Sequence, residues 1–302
     1  MTAASGVADV ARASEGKPAG IKPVRFVRRF STAIIYAIVV LSAIWFGSIP
    51  KLDRLGPLVL GVVVGVMAAF AASEFYAMER RESRLPNEAF GVAAAGLMPV
   101  VAALWGLAGL SSLVTLLIAA SLVWHVVFVR VRTVDTAVTV FGALYTGFLL
   151  AYLVLIERTF VSGRALALAV VLGVWANDSL AYLVGSTVGR HKLVPKISPK
   201  KSWEGFLAGG LGTIATWVIL AVFFPWVGIS LPWAILTGTV IGATVVIGDL
   251  FESRMKREAG VKDSGNALPG HGGFLDRLDS LILVCLIAYW LLRWASVPVK
   301  LL

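Results

Sequence analysis

Long apolar runs alternate with short polar segments along most of the chain. A membrane-spanning helix needs roughly 20 mostly apolar residues, because lipid offers no partner for an unpaired backbone group. Nine runs approach this length, at 30–48, 57–78, 89–107, 110–129, 134–156, 164–188, 205–224, 231–250 and 279–296. The pattern therefore predicts an all-α polytopic membrane protein with about nine transmembrane helices. No internal repeat is visible, so residues 30–302 are interpreted as a single transmembrane domain.

Composition excludes a soluble domain. Hydrophobic residues make up 58% of the chain and charged residues 15%, whereas soluble domains carry roughly 25% charged residues. Residues 1–29 are polar and basic and are predicted to form a disordered cytoplasmic tail. The apolar run that begins near Phe30 is long enough to span, which favours a retained helix over a cleaved signal peptide. The single cysteine, Cys285, excludes an intramolecular disulfide and a cysteine-rich metal site.

The basic residues fall mainly on one side of the predicted topology. With the N-terminus inside, 21 of the 27 Lys and Arg residues lie in the segments 1–29, 79–88, 130–133, 189–204 and 251–278. Basic loops stay in the cytoplasm. The N-terminus is therefore predicted to be cytoplasmic and the C-terminus outside, in an inner or plasma membrane. The net charge of +10 is explained by this topology and by contacts with anionic membrane lipids, so no nucleic acid is expected as a partner.

The cytoplasmic loop 251–278 carries far more charge than a connection needs. Asp249, Glu252, Ser253 and Lys256 would share one helix face if the preceding helix continues into the loop. The acids and lysines surround a glycine turn, and glycines allow backbone N–H groups to approach an anion closely. Carboxylates suit Mg²⁺, and cations suit phosphates. The residues of this loop that could bind a metal or a phosphate are Lys262, Asp263, His271, Gly272, Gly273, Asp276, Arg277 and Asp279.

The cytoplasmic loop 189–204 is the second candidate. It contains Ser198, Lys200, Lys201 and Glu204, and its lysines could clamp a nucleotide triphosphate or a lipid phosphate. Its simpler interpretation is a solvated basic connection. The charge distribution places both loops on the same side of the membrane, which supports one composite site.

Several of these residues have ordinary structural explanations. Asp276 and Asp279 could cap the helix that follows them, and His271 could be an unremarkable loop residue. Arg254, Lys256 and Arg257 could be topology anchors. Asp178 lies inside an apolar run, where an acid indicates a functional site by default. The clustering of these groups, more than any one of them, indicates function.

Three motifs stand out within roughly residues 175–280. They are Asp178-Ser179-x-Ala181-Tyr182, Ile197-Ser198-Pro199-Lys200-Lys201-Ser202-Trp203-Glu204-Gly205, and Ser253-x-Met255-Lys256-Arg257-x4-Lys262-Asp263-x-Gly265-x2-Leu268-Pro269-Gly270-His271-Gly272-Gly273-Phe274-x-Asp276-Arg277-Leu278-Asp279, which follows Gly248-Asp249 and Glu252. In these motifs the sequence resembles the phosphatidate cytidylyltransferase (CDP-diacylglycerol synthase) family. Leu180 departs from the family pattern, which often has a small residue there.

The resemblance implies that CTP and phosphatidate react to give CDP-diacylglycerol and pyrophosphate. It implies Mg²⁺ as cofactor, with K⁺ as a second cation, and a homodimer. Asp249 and Asp276 would be the metal ligands. The expected catalytic set adds Lys262, Asp263, Arg277 and Asp279, and the expected substrate-binding set is Ser198, Lys200, Lys201, Glu204, Lys256, His271, Gly272, Gly273 and Asp178.

Two other functions fit parts of the sequence. A related CTP-dependent enzyme could act on another lipid, as polyprenol kinases and archaeal lipid cytidylyltransferases do. A transporter would use the acids for ion coupling, but transporter sites usually lie near the midplane and often between internal repeats. Here the charge lies in cytoplasmic loops, which favours the enzyme.

Overall fold

The computed structural model describes residues 41–44, 55–265 and 272–300. Eight α-helices follow the short helical stretch at 41–44. They are α1 (Gly56–Arg81), α2 (Glu88–Val127), α3 (Thr133–Ala143), α4 (Leu149–Thr159), α5 (Gly163–Thr187), α6 (Trp203–Phe223), α7 (Leu231–Glu258) and α8 (Leu275–Trp294). A π-helical turn, Leu144–Phe148, joins α3 to α4, and a 3₁₀ turn, Pro225–Val227, precedes α7.

Six helical stretches are long and apolar enough to cross a membrane. They are Gly56–Arg81, Glu88–Val127, Thr133–Thr159, Gly163–Thr187, Trp203–Phe223 and Leu231–Glu258, with mean hydropathies from 1.6 to 2.1. The all-α, multi-pass architecture is thereby confirmed. The number nine and the orientation stay predictions, since most of the first predicted span, 30–48, lies outside the described residues. The last predicted span, 279–296, lies largely within α8.

Helix α2 contains two of the predicted spans, 89–107 and 110–129. At about 1.5 Å per residue, its 40 residues would reach about twice the roughly 30 Å thickness of a hydrocarbon core. Gly106 interrupts the helix with φ 65° and ψ −152°, a conformation that glycine adopts without steric cost. The Arg158 guanidinium donates to the Ala103 carbonyl at 2.6 Å, one turn before the break.

Helices α5 to α8 pack closely through small residues. A Cβ on Gly238 would lie 2.6 Å from the Ile214 Cα, and one on Gly248 would lie 2.7 Å from the Asp279 carbonyl oxygen. Small residues let helices in membranes approach each other in this way. Asn177 adds a hydrogen bond from α5 to Thr213 of α6 at 3.0 Å. The contact at Gly248 brings the end of α7 against the start of α8.

The first predicted cytoplasmic loop folds into a small β-hairpin, which was not predicted. Strand β1 (Lys192–Val194) pairs antiparallel with β2 (Ser198–Ser202). The Ser202 hydroxyl accepts from the Gly205 N–H at 3.2 Å and caps α6. The hairpin is thereby tied directly to the start of a transmembrane helix, so its lysines have fixed positions.

The second predicted cytoplasmic loop begins as helix. Helix α7 continues to Glu258, so the residues spaced three and four apart from Asp249 share one face, as the pattern indicated. The Ser253 hydroxyl donates to the Asp249 carboxylate at 3.1 Å. The Lys256 ammonium lies 2.5 Å from the Glu252 carboxylate one turn earlier.

Candidate active site

A cavity of about 690 Å³ opens where α5, the hairpin, and the ends of α6, α7 and α8 meet. Charged and polar side chains from all but α6 line it. The predicted site residues among them are Asp178, Ser198, Lys200, Lys201, Asp249, Asp276, Arg277 and Asp279. The structure therefore brings residues from three separate sequence motifs to one cavity.

Lys201 and Asp249 form an ion pair across the cavity wall. Their Nζ and Oδ2 atoms are 2.6 Å apart, and the two side chains are 21% and 32% exposed. The other carboxylate oxygen of Asp249 accepts from Ser253. Since Lys201 belongs to the hairpin and Asp249 to α7, this pair joins the two motif regions at the cavity.

Asp276 is held by four donors. Its Oδ1 lies 2.7 Å from the Lys256 ammonium, and its Oδ2 accepts from the Ser264 N–H, the Ser264 hydroxyl and the Gly273 N–H at 3.0, 3.0 and 2.7 Å. Burial would raise the pKa of Asp276, but hydrogen bonds with Glu252, Lys256 and Gly273 hold it below its usual value. The carboxylate is therefore ionised and fixed in orientation.

Asp178 lies in the C-terminal half of α5 and is exposed to the cavity. Acids inside membrane segments usually face a bundle interior or a water-filled space, and Asp178 follows that rule. It shares the cavity with Lys201, Asp249 and Arg277. Asn177, its neighbour, faces α6 instead and holds the helices together.

The remaining predicted residues that the structure describes are not among those that line the cavity. Lys262 and Asp263 are exposed after the end of α7. The Glu204 carboxylate accepts from the His191 N–H at 3.2 Å and contacts the His191 ring at 2.7 Å. This contact braces the base of the hairpin.

The glycine turn is described in part. Gly272 has φ 82°, which favours glycine, and the N–H of Gly273 points to Asp276. His271 falls outside the described residues.

Sequence reasoning missed several residues of the site. Lys192 and Tyr182 line the cavity, although Lys192 was not singled out and Tyr182 was named only as part of a motif. Glu74 of α1, a distant part of the chain, contacts Ser264 of the third motif. Glu74 could have been found by the same rule that identified Asp178, because it is an acid within an apolar run.

The donor chemistry of the cavity fits Mg²⁺. In the described part of the chain, no three Asp, Glu, His or Cys side chains are preassembled as a metal cluster. However, Asp249 and Asp276 both line the cavity and already bind the ammonium groups of Lys201 and Lys256. Hard carboxylate oxygens that face cations and a solvent-filled cavity are ligands that Mg²⁺ accepts, usually together with waters and phosphates.

The chain is similar in sequence to several known proteins. The chain is 39% identical over 162 residues to a phosphatidate cytidylyltransferase of Mycobacterium leprae, covering 52% of the chain and 50% of that protein. It is 41% identical over 151 residues to the phosphatidate cytidylyltransferase of Thermotoga maritima, covering 48% and 55%. It is also 42% identical over 147 residues to the uncharacterized protein YnbB of Escherichia coli, covering 48% of each.

The chain spans about half the length of the curated relatives it matches. The match to a family is much longer. Residues 27–295, nearly the whole chain, match the sequence model of the family described as "Cytidylyltransferase family". This protein therefore belongs to the cytidylyltransferase family.

Proposed function

We propose that this protein transfers the cytidylyl group of CTP to phosphatidate, giving CDP-diacylglycerol and pyrophosphate. The observation that carries the proposal is the single cavity in which Lys200, Lys201 and Arg277 face Asp178, Asp249 and Asp276. Such a mixture of cations and carboxylates suits two polyanionic substrates and a metal. The two substrates are proposed because the relatives are named phosphatidate cytidylyltransferases.

The reaction is an in-line displacement at the α-phosphorus of CTP. A phosphate oxygen of phosphatidate forms the new P–O bond, and the bond to the bridging oxygen of the β-phosphate breaks. The electron pair leaves with pyrophosphate. Because the lipid phosphate is already an anion at neutral pH, no strong general base is required. The main obstacle is repulsion between two polyanions, which fixed positive charge lowers.

The cationic side chains would hold the phosphates. Lys200, Lys201 and Arg277 line the cavity and, together with Lys262, would contact the triphosphate and the lipid phosphate. Ser198 would contact the lipid head group at the cavity rim. Tyr182 lines the cavity and would stack on the cytosine ring.

Carboxylates would hold the metal. Asp249 and Asp276 would bind Mg²⁺, which supplies charge neutralisation at the phosphoryl oxygens when bound, with K⁺ as a second cation. Lys256 orients Asp276.

The other predicted residues have supporting roles. His271, Gly272 and Gly273 would contact nucleotide phosphates. Additional ligands, or groups that orient the lysines, are Asp178, Asp263, Asp279 and Glu204.

Product analysis tests the proposal. The purified protein in detergent, given CTP, phosphatidate and Mg²⁺, should release pyrophosphate only when all three are present. Activity with a different lipid phosphate alone would replace the acceptor but keep the chemistry. Release of CDP, with a phosphorylated lipid product, would show a CTP-dependent kinase instead. Absence of any nucleotide turnover in a folded sample would contradict the enzyme proposal.

The cavity is proposed to face the cytoplasm of a multi-pass cell membrane protein, with about nine helices and a homodimeric assembly. Cysteine labelling tests the orientation, since Cys285 is the only cysteine and is buried. In a Cys285→Ala background, Val161→Cys should react with a membrane-impermeant maleimide on intact cells. Arg254→Cys should react only after permeabilisation. Both native side chains are more than half exposed. The reverse labelling pattern would contradict the proposed orientation.

A further inference from the structure

Glu74 is a buried acid in the apolar helix α1. Glu74 is 7% exposed, and it precedes Ser264, which it contacts, by 190 residues. A buried carboxylate is costly unless polar partners compensate its lost hydration. The partners of Glu74 therefore show which part of the fold requires it.

One oxygen of Glu74 contacts both ends of the segment that carries the glycine turn. Its Oε2 accepts from the Ser264 hydroxyl at 3.0 Å and from the Leu275 N–H at 2.9 Å. These two residues flank residues 265–274. The carboxylate therefore fixes the distance between the start and the end of this segment.

Glycines make room for this carboxylate. A Cβ on Gly265 would lie 2.5 Å from Glu74 Oε1, and a Cβ on Gly273 would clash with Oε2. No side chain fits at either position without displacing the carboxylate. The two glycines thus have a packing reason to be small that is separate from any contact with a nucleotide.

Glu74 is also connected to Asp276. The Ser264 hydroxyl lies 3.0 Å from both Glu74 Oε2 and Asp276 Oδ2, so the two carboxylates share its one proton. The Ser264 N–H donates to Asp276 as well. Any shift of Ser264 would therefore change the position of two of the four donors that hold Asp276.

We propose that Glu74 is a positioning residue for the reaction at this site. It acts through Ser264 and Leu275 to hold the described ends of the segment 265–274 and to orient Asp276, and it does not touch substrate. The expected effect of Glu74 on turnover rests on the function proposed above, whereas the effect of Glu74 on the segment 262–276 does not. One acceptor oxygen serves both hydrogen bonds, so an amide oxygen can replace it.

The test compares Glu74→Ala with Glu74→Gln. Kinetics of pyrophosphate release give kcat and KM, and hydrogen exchange of peptides covering 262–276 reports the hydrogen bonds directly. Glu157→Ala is a matched control, because Glu157 is 1% exposed but contacts Arg164 rather than the site. We expect Glu74→Ala to lower kcat by roughly 10²-fold and to accelerate exchange in 262–276. Glu74→Gln should restore both, and Glu157→Ala should leave exchange in this segment unchanged.

Two results would overturn the proposal. In the first, exchange in 262–276 is the same in Glu74→Ala and the wild type. In the second, Glu74→Gln is as impaired as Glu74→Ala, which would show that the charge, and not the acceptor, is required. If the wild type releases no pyrophosphate, the proposed function fails, but the exchange comparison still decides whether Glu74 holds the segment.

Discussion

Replacing Asp276 with asparagine is expected to lower turnover by about 10²- to 10³-fold, the usual loss when one preorganised charged group is removed from a site. Both oxygens of Asp276 are needed in the structure, one for Lys256 and the other for three N–H and O–H donors. Asparagine has one oxygen and places an NH₂ group against donors on the other side. The variant also loses the proposed ligand for Mg²⁺.

Turnover by pyrophosphate release and thermal unfolding by tryptophan fluorescence are measured together. The substitution should lower the free energy of unfolding by less than about 3 kcal/mol, because Lys256 retains Glu252 as its partner. The control is Arg254→Ala, which removes an exposed ion pair with Glu258 one turn away and should change neither quantity, since such pairs contribute little. Asp276→Asn with normal turnover would exclude Asp276 from the site chemistry.

Exchanging the charges of Lys201 and Asp249 is expected to recover the stability that either single charge reversal loses, but not the activity. Each single reversal places like charges within the 2.6 Å contact and should lower both stability and turnover, the latter by at least about 10²-fold. In the double variant Lys201→Asp/Asp249→Lys the ion pair can form again. A pair with a purely structural role would recover turnover. Our proposal gives the lysine to the phosphates and the aspartate to the metal, so turnover should stay low.

Lys196→Met serves as the control for this series. Lys196 is an exposed lysine in the turn of the same hairpin and is not among the residues that line the cavity. Its loss should leave turnover within about two-fold of the wild type. Full activity in the double charge exchange would contradict the assigned roles of Lys201 and Asp249.

Apolar length predicted the helices well, because membrane-spanning helices have a fixed minimum length that is visible in local sequence. The predicted segment 57–78, for example, lies within α1, and 231–250 lies within α7. Local sequence raised the continuation of the helix into the second loop only as a condition, and the structure shows about two more turns, ending at Glu258. Local sequence did not show the hairpin, whose strands are only three and five residues long.

The site was predicted where charges cluster in sequence and missed where the contact is distant. Asp249, Asp276 and Lys201 stand in charged motifs, and the structure places all three at one cavity. Glu74 stands alone in an apolar helix, and its role depends on the packing of α1 against the start of α8. A pattern read along the chain contains no information about that contact. The roles assigned to the individual residues stay predictions.

The fold suits the proposed reaction, which joins a soluble substrate to a lipid. The cavity walls come from the ends of membrane helices, while its lysines come from a hairpin outside the apolar spans. Leu183 and Leu207, on α5 and α6, are more than half exposed beside it. Exposed apolar side chains at this level suit the acyl chains of a lipid, and the charged cavity suits its phosphate.

Tracking labelled CTP tests the central claim most directly. The protein is incubated with phosphatidate, Mg²⁺ and CTP that carries radioactive phosphorus at either the α or the γ position, and the lipid is extracted. Our account predicts that the α label enters the lipid as CDP-diacylglycerol while the γ label leaves in pyrophosphate. Entry of the γ label into lipid, or of neither label, would contradict cytidylyl transfer.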